Sequence, residues 1–195
     1  EISACLVGSE MCIRDSYSMS QRETFDYCPR CGADRLEAHG VKAQHCQRCG
    51  FTYYHNPSAA VALLVRDLRG RLLVATRGKE PAKGTLDLPG GFVDKDETGE
   101  EAAQRELYEE SGLRLPTEQF VYAFSLPNSY LYSDFLVPTL DLFYIVQLPS
   151  EMPTVRAMDD VAQLSWLTPA EIDPSRFGLI SIRQGIARYL SSLAD

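Results

Sequence analysis

The sequence predicts a mixed α/β domain with a small cysteine-rich module in front of it, on three observations. Residues 25–55 are poor in aliphatics and hold two paired cysteine motifs, from Ser58 the chain turns strongly aliphatic, and strand and helix patterns then mix without strict βαβ alternation. With 195 residues, 45% apolar and 24% charged, the chain has material for one ordinary core and a small appendage. It contains nothing near the roughly 18–20 consecutive apolar residues of a membrane helix. The expectation is a soluble, cytoplasmic protein that does not engage membranes. A net charge of −8 speaks against binding nucleic acid by bulk electrostatics, since backbone binding needs a positive surface.

Residues 1–18 have neither the basic start nor the apolar core of a secretory signal. The stretch Cys5-Leu6-Val7-Gly8-Ser9-Glu10-Met11-Cys12-Ile13-Arg14-Asp15-Ser16 resembles a peptide translated from sequencing-adapter DNA. These residues are therefore expected to carry no function, with Met19 as the natural start. Residues 58–66 read as a buried strand, Arg69-Gly70 as a turn and 71–76 as its hairpin partner. Residues 86–88 form a short strand stopped by Pro89-Gly90-Gly91. Thr98 followed by Glu101 is a capping-box pattern and Gly112 a C-terminal stop, which predicts a helix over 99–111. Strands are expected at 120–125, 139–147 and 161–167, with residues 127–140 as a long loop. Pro169 opens a short helix, and 180–193 is a longer amphipathic one.

Cys28-Pro29-Arg30-Cys31 and Cys46-Gln47-Arg48-Cys49 are two C-x2-C pairs, each followed by glycine, at Gly32 and Gly50. Each pair places two thiolates on one side of a tight turn, and two such knuckles complete a closed tetrahedral site. Cys28, Cys31, Cys46 and Cys49 are thus expected to bind a structural Zn2+, with His45 a surface residue beside them. The module resembles a zinc ribbon, and Arg30, Arg35, Lys42 and Arg48 make it locally basic, which leaves a nucleic-acid partner open.

The 99–111 helix carries five glutamates against one arginine. Glu109 and Glu110 sit in its last turn, where the helix dipole disfavours negative charge. Glu106 and Glu110, four apart, share a face with Glu109 about one turn from Glu106, so the cluster suits an oxygen-ligated cation, Mg2+ or Mn2+. Upstream, Gly90-Gly91 lets a backbone carbonyl turn toward the same place.

Gly91, Glu97, Arg105, Glu106, Leu107, Glu109, Glu110, Gly112 and Leu113 match every fixed position of the Nudix box, G-x5-E-x7-R-E-U-x-E-E-x-G-U, over 23 residues. The chain thus resembles the Nudix hydrolases over residues 58–193. The resemblance implies an α/β/α sandwich around a mixed sheet and metal-dependent hydrolysis of a nucleoside diphosphate linked to another group. It implies that Glu106, Glu109, Glu110 and the Gly90 carbonyl hold metal, and that Arg105 orients the glutamates through Glu97 and Glu109. Asp160, six residues before Trp166, matches a further acidic ligand or base, with Asp159 behind it. One of the glutamates, or Asp160, is expected to serve as general base.

A four-cysteine ribbon over 25–55 directly before such a domain is similar to the NADH pyrophosphatase arrangement. That subfamily carries SQPWPFPxS downstream of the box, whereas Ser125-Leu126-Pro127-Asn128-Ser129-Tyr130 keeps only the Ser and the first Pro. The expected substrates are therefore ADP-ribose-like or other nucleoside-diphosphate-linked metabolites alongside NAD(H), followed by nucleoside triphosphates and then RNA caps. Tyr130 and Tyr132 are the candidates to stack a base. The reading from another class is a non-catalytic nucleotide-sensing or nucleic-acid-binding regulator, and such modules often lose the metal glutamates that this chain keeps. A homodimer is the oligomeric state the resemblance suggests.

Overall fold

The computed structural model describes residues 25–34, 36–40, 42–132, 135–149, 155 and 161–193; the side chain of Tyr132 and residues 1–18 lie outside that description. Among the described residues, those up to Asn56 form one compact unit together with Tyr130–Val137, and Pro57–Ser129 with the chain from Pro138 onward form a second.

The first unit has a three-stranded antiparallel sheet, β1 (Glu37–Ala38), β2 (Ala43–His45) and β3 (Thr52–Tyr54), in that order. Its buried apolar cluster is small: Cys28, Leu36 and Cys46, with Cys31, Ala33, Cys49 and Phe51 packed against them. So little apolar surface cannot hold about thirty residues by burial alone, which is why the cysteines are central to this unit.

In the second unit, β4 (Ser58–Arg66) runs parallel to β8 (Phe135–Gln147), and β5 (Leu72–Arg77) pairs antiparallel with β4, β6 (Leu86–Asp87) and β9 (Val161–Leu167). The path of the mixed sheet is β6-β5-β4-β8-β7, where β7 is Phe120–Tyr132. Alternation along the strands sends side chains to two faces. Val61, Leu63 and Val65 of β4 meet Ala102, Ala103 and Leu107 of α1 (Gly99–Ser111) on one face. Ala62 and Leu64 meet Ile182, Ile186 and Tyr189 of α2 (Ile180–Ser192) on the other. Covered on both sides, β4 is a near-continuous apolar run, as a central strand with a parallel neighbour should be. The layering is the expected α/β/α sandwich around a mixed sheet.

One expectation is corrected. Residues 127–140 are not a long loop, because β7 continues to Tyr132 and β8 starts at Phe135. Both prolines of this stretch sit where a strand tolerates them. Pro127 lies on β7, at the end of the sheet path, and Pro138 lies one residue outside the β4–β8 ladder, which begins at Thr139.

Candidate active site and cysteine cluster

After β6 the backbone runs along β4 as a narrow strip. Leu63 N–H donates to the Pro89 carbonyl at 2.8 Å, Val61 N–H to the Gly91 carbonyl at 2.8 Å, and Val93 N–H to the Ala59 carbonyl at 3.0 Å. Gly90 lets the strip lie against β4, and Gly91 leaves room for the Glu106 carboxylate. Gly90 has φ +149°, and a Cβ there would lie 2.1 Å from the Val61 carbonyl oxygen. A Cβ on Gly91 would lie 2.4 Å from Glu106 Oε1. The Gly90 N–H donates to Glu110 Oε2 at 3.2 Å, which ties the strip to the last turn of the helix.

Helix α1 is held at both ends. Thr98 Oγ1 accepts from the Glu101 N–H and Glu101 Oε2 accepts from the Thr98 N–H, while Gly112 closes the helix at φ +75°. The Tyr144 hydroxyl, donating to Glu100 Oε1 at 3.2 Å, sits where a Cβ on Gly99 would approach to 2.2 Å. The first turn can therefore lie directly on β8.

Arg105 uses its whole donor fork. Nε donates to Glu97 Oε1 at 2.7 Å, Nη1 to Glu106 Oε1 at 2.7 Å and Glu109 Oε2 at 3.1 Å, and Nη2 to Glu97 Oε2 at 2.9 Å and the Phe92 carbonyl at 3.0 Å. The guanidinium holds the Glu97 carboxyl below the usual carboxylate range, and these partners hold Arg105 firmly charged. Burial pushes the Glu106 carboxyl up despite Arg105, with Glu109 and Glu97 adding to the push. Glu106 keeps 14% of its side-chain surface exposed and Glu109 45%, so the cluster grades from enclosed to open. One guanidinium faces three carboxylates, with Glu110 on the same helix. This all-oxygen, net-negative donor set fits a hard divalent cation.

In the first unit, the Sγ atoms of Cys28, Cys31, Cys46 and Cys49 all lie within 4.8 Å of one another. Each pair sits on a matched turn. Gly32 N–H donates to the Cys28 carbonyl at 2.8 Å and Gly50 N–H to the Cys46 carbonyl at 2.9 Å, with φ +66° and +72° at the two glycines. The backbone N–H of Cys49, against burial and joined by that of Arg48, brings the Cys46 thiol down to about 7. The Ala33 N–H lowers Cys31, but burial and the other three thiols push it up to about 11. Four thiols this close cannot all ionise without a shared cation, and the set fits a soft tetrahedral metal ion. The ribbon is not basic on every face. Asp26, Asp34 and Glu37 line one groove of about 500 Å3 with Phe25, Tyr27, Leu36 and Gln44.

The structure thus brings together Gly90, Arg105, Glu106, Glu109 and Glu110, and separately the four cysteines. Tyr130 lies half-buried on β7, and Tyr132 ends that strand. Asp159 and Asp160 lie outside the described residues. Sequence reasoning missed three contacts: Arg105 with Glu106, Arg105 with the Phe92 carbonyl, and Tyr144 with Glu100. The first joins adjacent residues, the second is a backbone atom and the third spans 44 positions, so no helical spacing announces them.

Comparison with known proteins agrees with this geometry. The NUDIX domain family model matches residues 56–188. The NAD-capped RNA hydrolase NudC of Chromobacterium violaceum is 34% identical over 101 residues, covering 52% of this chain and 37% of that protein. NudC of Deinococcus radiodurans is 29% identical over 157 residues, covering 77% of this chain and 51% of that protein. The chain spans about half the length, or less, of these curated relatives. A NUDIX hydrolase from Nitrosomonas europaea superposes with a TM-score of 0.64 at 20% identity, covering 86% of this chain and 92% of that one, which shows the shared fold. The family match takes in both faces of the sheet, the glycine strip and the glutamate helix, and the chain belongs to the NUDIX domain family.

Proposed function

We propose that this chain is a pyrophosphohydrolase that cleaves the diphosphate bond of a nucleoside diphosphate linked to a second group. The observation that carries the reading is the Arg105 fork. It spends all its donors on fixing Glu97, Glu106, Glu109 and the glycine strip, and so holds carboxylates together that would otherwise repel. An arrangement that concentrates negative charge serves a cation. Glu106, Glu109, Glu110 and the Gly90 carbonyl would hold Mg2+ or Mn2+. When bound, such ions neutralise diphosphate oxygens and lower the pKa of a water molecule.

The rest is the work of the chain. Arg105 orients three carboxylates, the glycine strip keeps bulk away from them, and a carboxylate of α1 or Asp160 accepts the proton of the attacking water. The four cysteines would hold Zn2+ in a closed site, which is a structural rather than a catalytic arrangement. The activity for which the relatives are named, on NAD-capped RNA, supports a substrate in which a nucleoside diphosphate carries another group. The shortened downstream signature at Ser125–Tyr130 keeps ADP-ribose-like compounds beside NAD(H).

The test is a Mg2+-dependent hydrolysis panel of NADH, ADP-ribose, nucleoside diphosphate sugars and NAD-capped RNA, read by nucleoside monophosphate release. Glu110→Gln is expected to lower turnover at least about a hundredfold with unchanged circular dichroism. Near-normal hydrolysis by that variant refutes the assignment.

A further inference from the structure

The tip of the β7–β8 hairpin belongs to the cysteine-rich unit rather than to the sheet from which it grows. Its residues, Tyr130–Val137, cluster with the chain up to Asn56. The β4–β8 ladder begins only at Thr139, so the tip has no β4 beneath it. A two-stranded extension of this kind is marginal in water without apolar support.

That support is visible around Phe25, three residues before Cys28. The Phe25 ring stacks on Phe135 of the tip, with centroids 5.5 Å apart and planes at 21°. It also meets Tyr53 edge-on at 4.9 Å and stacks on His55 at 6.0 Å. Phe25 is fixed by its backbone as well as its ring. Its N–H donates to Gln44 Oε1 at 3.0 Å, and Gln44 Nε2 donates back to its carbonyl at 3.3 Å, while His55 Nε2 shares the same Gln44 oxygen at 3.0 Å. Gln44 is buried on β2, and Tyr53 and His55 directly follow the second cysteine pair. The platform under Phe135 is thus made of segments whose folding depends on the cysteine cluster, because the unit's own apolar core is too small to order them.

We propose that the stacking of Phe25 on Phe135 couples two parts of this unit: the ribbon, held by metal at Cys28, Cys31, Cys46 and Cys49, orders the hairpin tip and with it Tyr130. The coupling stands on these contacts.

The experiment uses the full chain loaded with Zn2+ and Mg2+. Amide hydrogen exchange is followed in residues 130–137 and, as an internal control, in 99–111. Three samples are compared: wild type, Phe135→Ala, and wild type after zinc chelation. Exchange at 130–137 is expected to rise at least tenfold in both altered samples, with 99–111 unchanged. Phe135→Ala should still hold one zinc per chain, which separates loss of the contact from loss of the ribbon, and Phe135→Tyr should restore protection. Unchanged exchange at 130–137 in either altered sample, or an equal rise at 99–111, overturns the coupling.

Discussion

Arg105 shows how much one side chain can organise. Its planar fork matches two carboxylate oxygens of Glu97 at once and still reaches Glu106, Glu109 and a backbone carbonyl, a pattern that a lysine with three donors on one nitrogen cannot reproduce. Arg105→Lys is therefore expected to keep the charge and the fold but to let the carboxylates drift. A displacement of about 1 Å costs roughly a hundredfold in turnover, read in the hydrolysis assay beside an unchanged thermal midpoint. The Glu97 and Glu109 partners were expected from the resemblance to the Nudix box, in which Glu97, Arg105 and Glu109 hold fixed positions. Glu106 was legible as a ligand candidate but not as a partner of Arg105. Neighbours in a helix point about 100° apart, and only the long side chain folding back brings Nη1 to Oε1.

Helix α1 was legible to both of its ends because its caps are local. The Thr98 and Glu101 exchange and the Gly112 stop need no tertiary information. Where the helix lies on the sheet was not legible. It depends on Tyr144 of β8 fitting under Gly99, a contact between residues 45 positions apart. Burial, reinforced by the Glu100 carboxylate, pushes the Tyr144 hydroxyl up to about 12. Since its pKa is raised above the ordinary value of about 10, its contribution to stability is present below that value and is lost as pH rises through about 12. Relative to Tyr144→Phe, wild type should hold a constant stability difference up to about pH 10 and lose it between about pH 10 and 12, as measured by urea unfolding across that range. A flat difference would show that the hydroxyl is not buried under α1. The β7–β8 hairpin was misread for the opposite reason. Its prolines are strong local punctuation, but a sheet accepts them wherever no ladder amide is required, and that depends on neighbours the local sequence does not name.

The two compact units differ in what holds them. The second buries both faces of a mixed sheet, with Phe143, Phe177, Leu63, Leu64 and Leu107 wholly enclosed, and each such side chain contributes about 1.5–3 kcal/mol. The first has a handful of small buried groups and four thiols in one cage. Chelation is expected to collapse the NMR dispersion of residues 25–56 while leaving the 58–66 and 99–111 resonances in place. Retention of both sets by zinc-free protein would show that the cysteine cage is not a metal site. The grouping of the four thiols and of the α1 carboxylates was legible from residue types and intervals alone, because C-x2-C pairs and helical glutamates are short-range patterns and backbone geometry carries them into space unaided. The sandwich was legible from alternation and capping for the same reason. What folding had to supply was everything that joins distant segments: Glu106 against Gly91, Tyr144 under Gly99, and a hairpin tip that leaves its own sheet for the ribbon. These contacts are set by which surfaces remain to be buried after the local elements form, and that remainder belongs to the packed molecule rather than to any stretch of its chain.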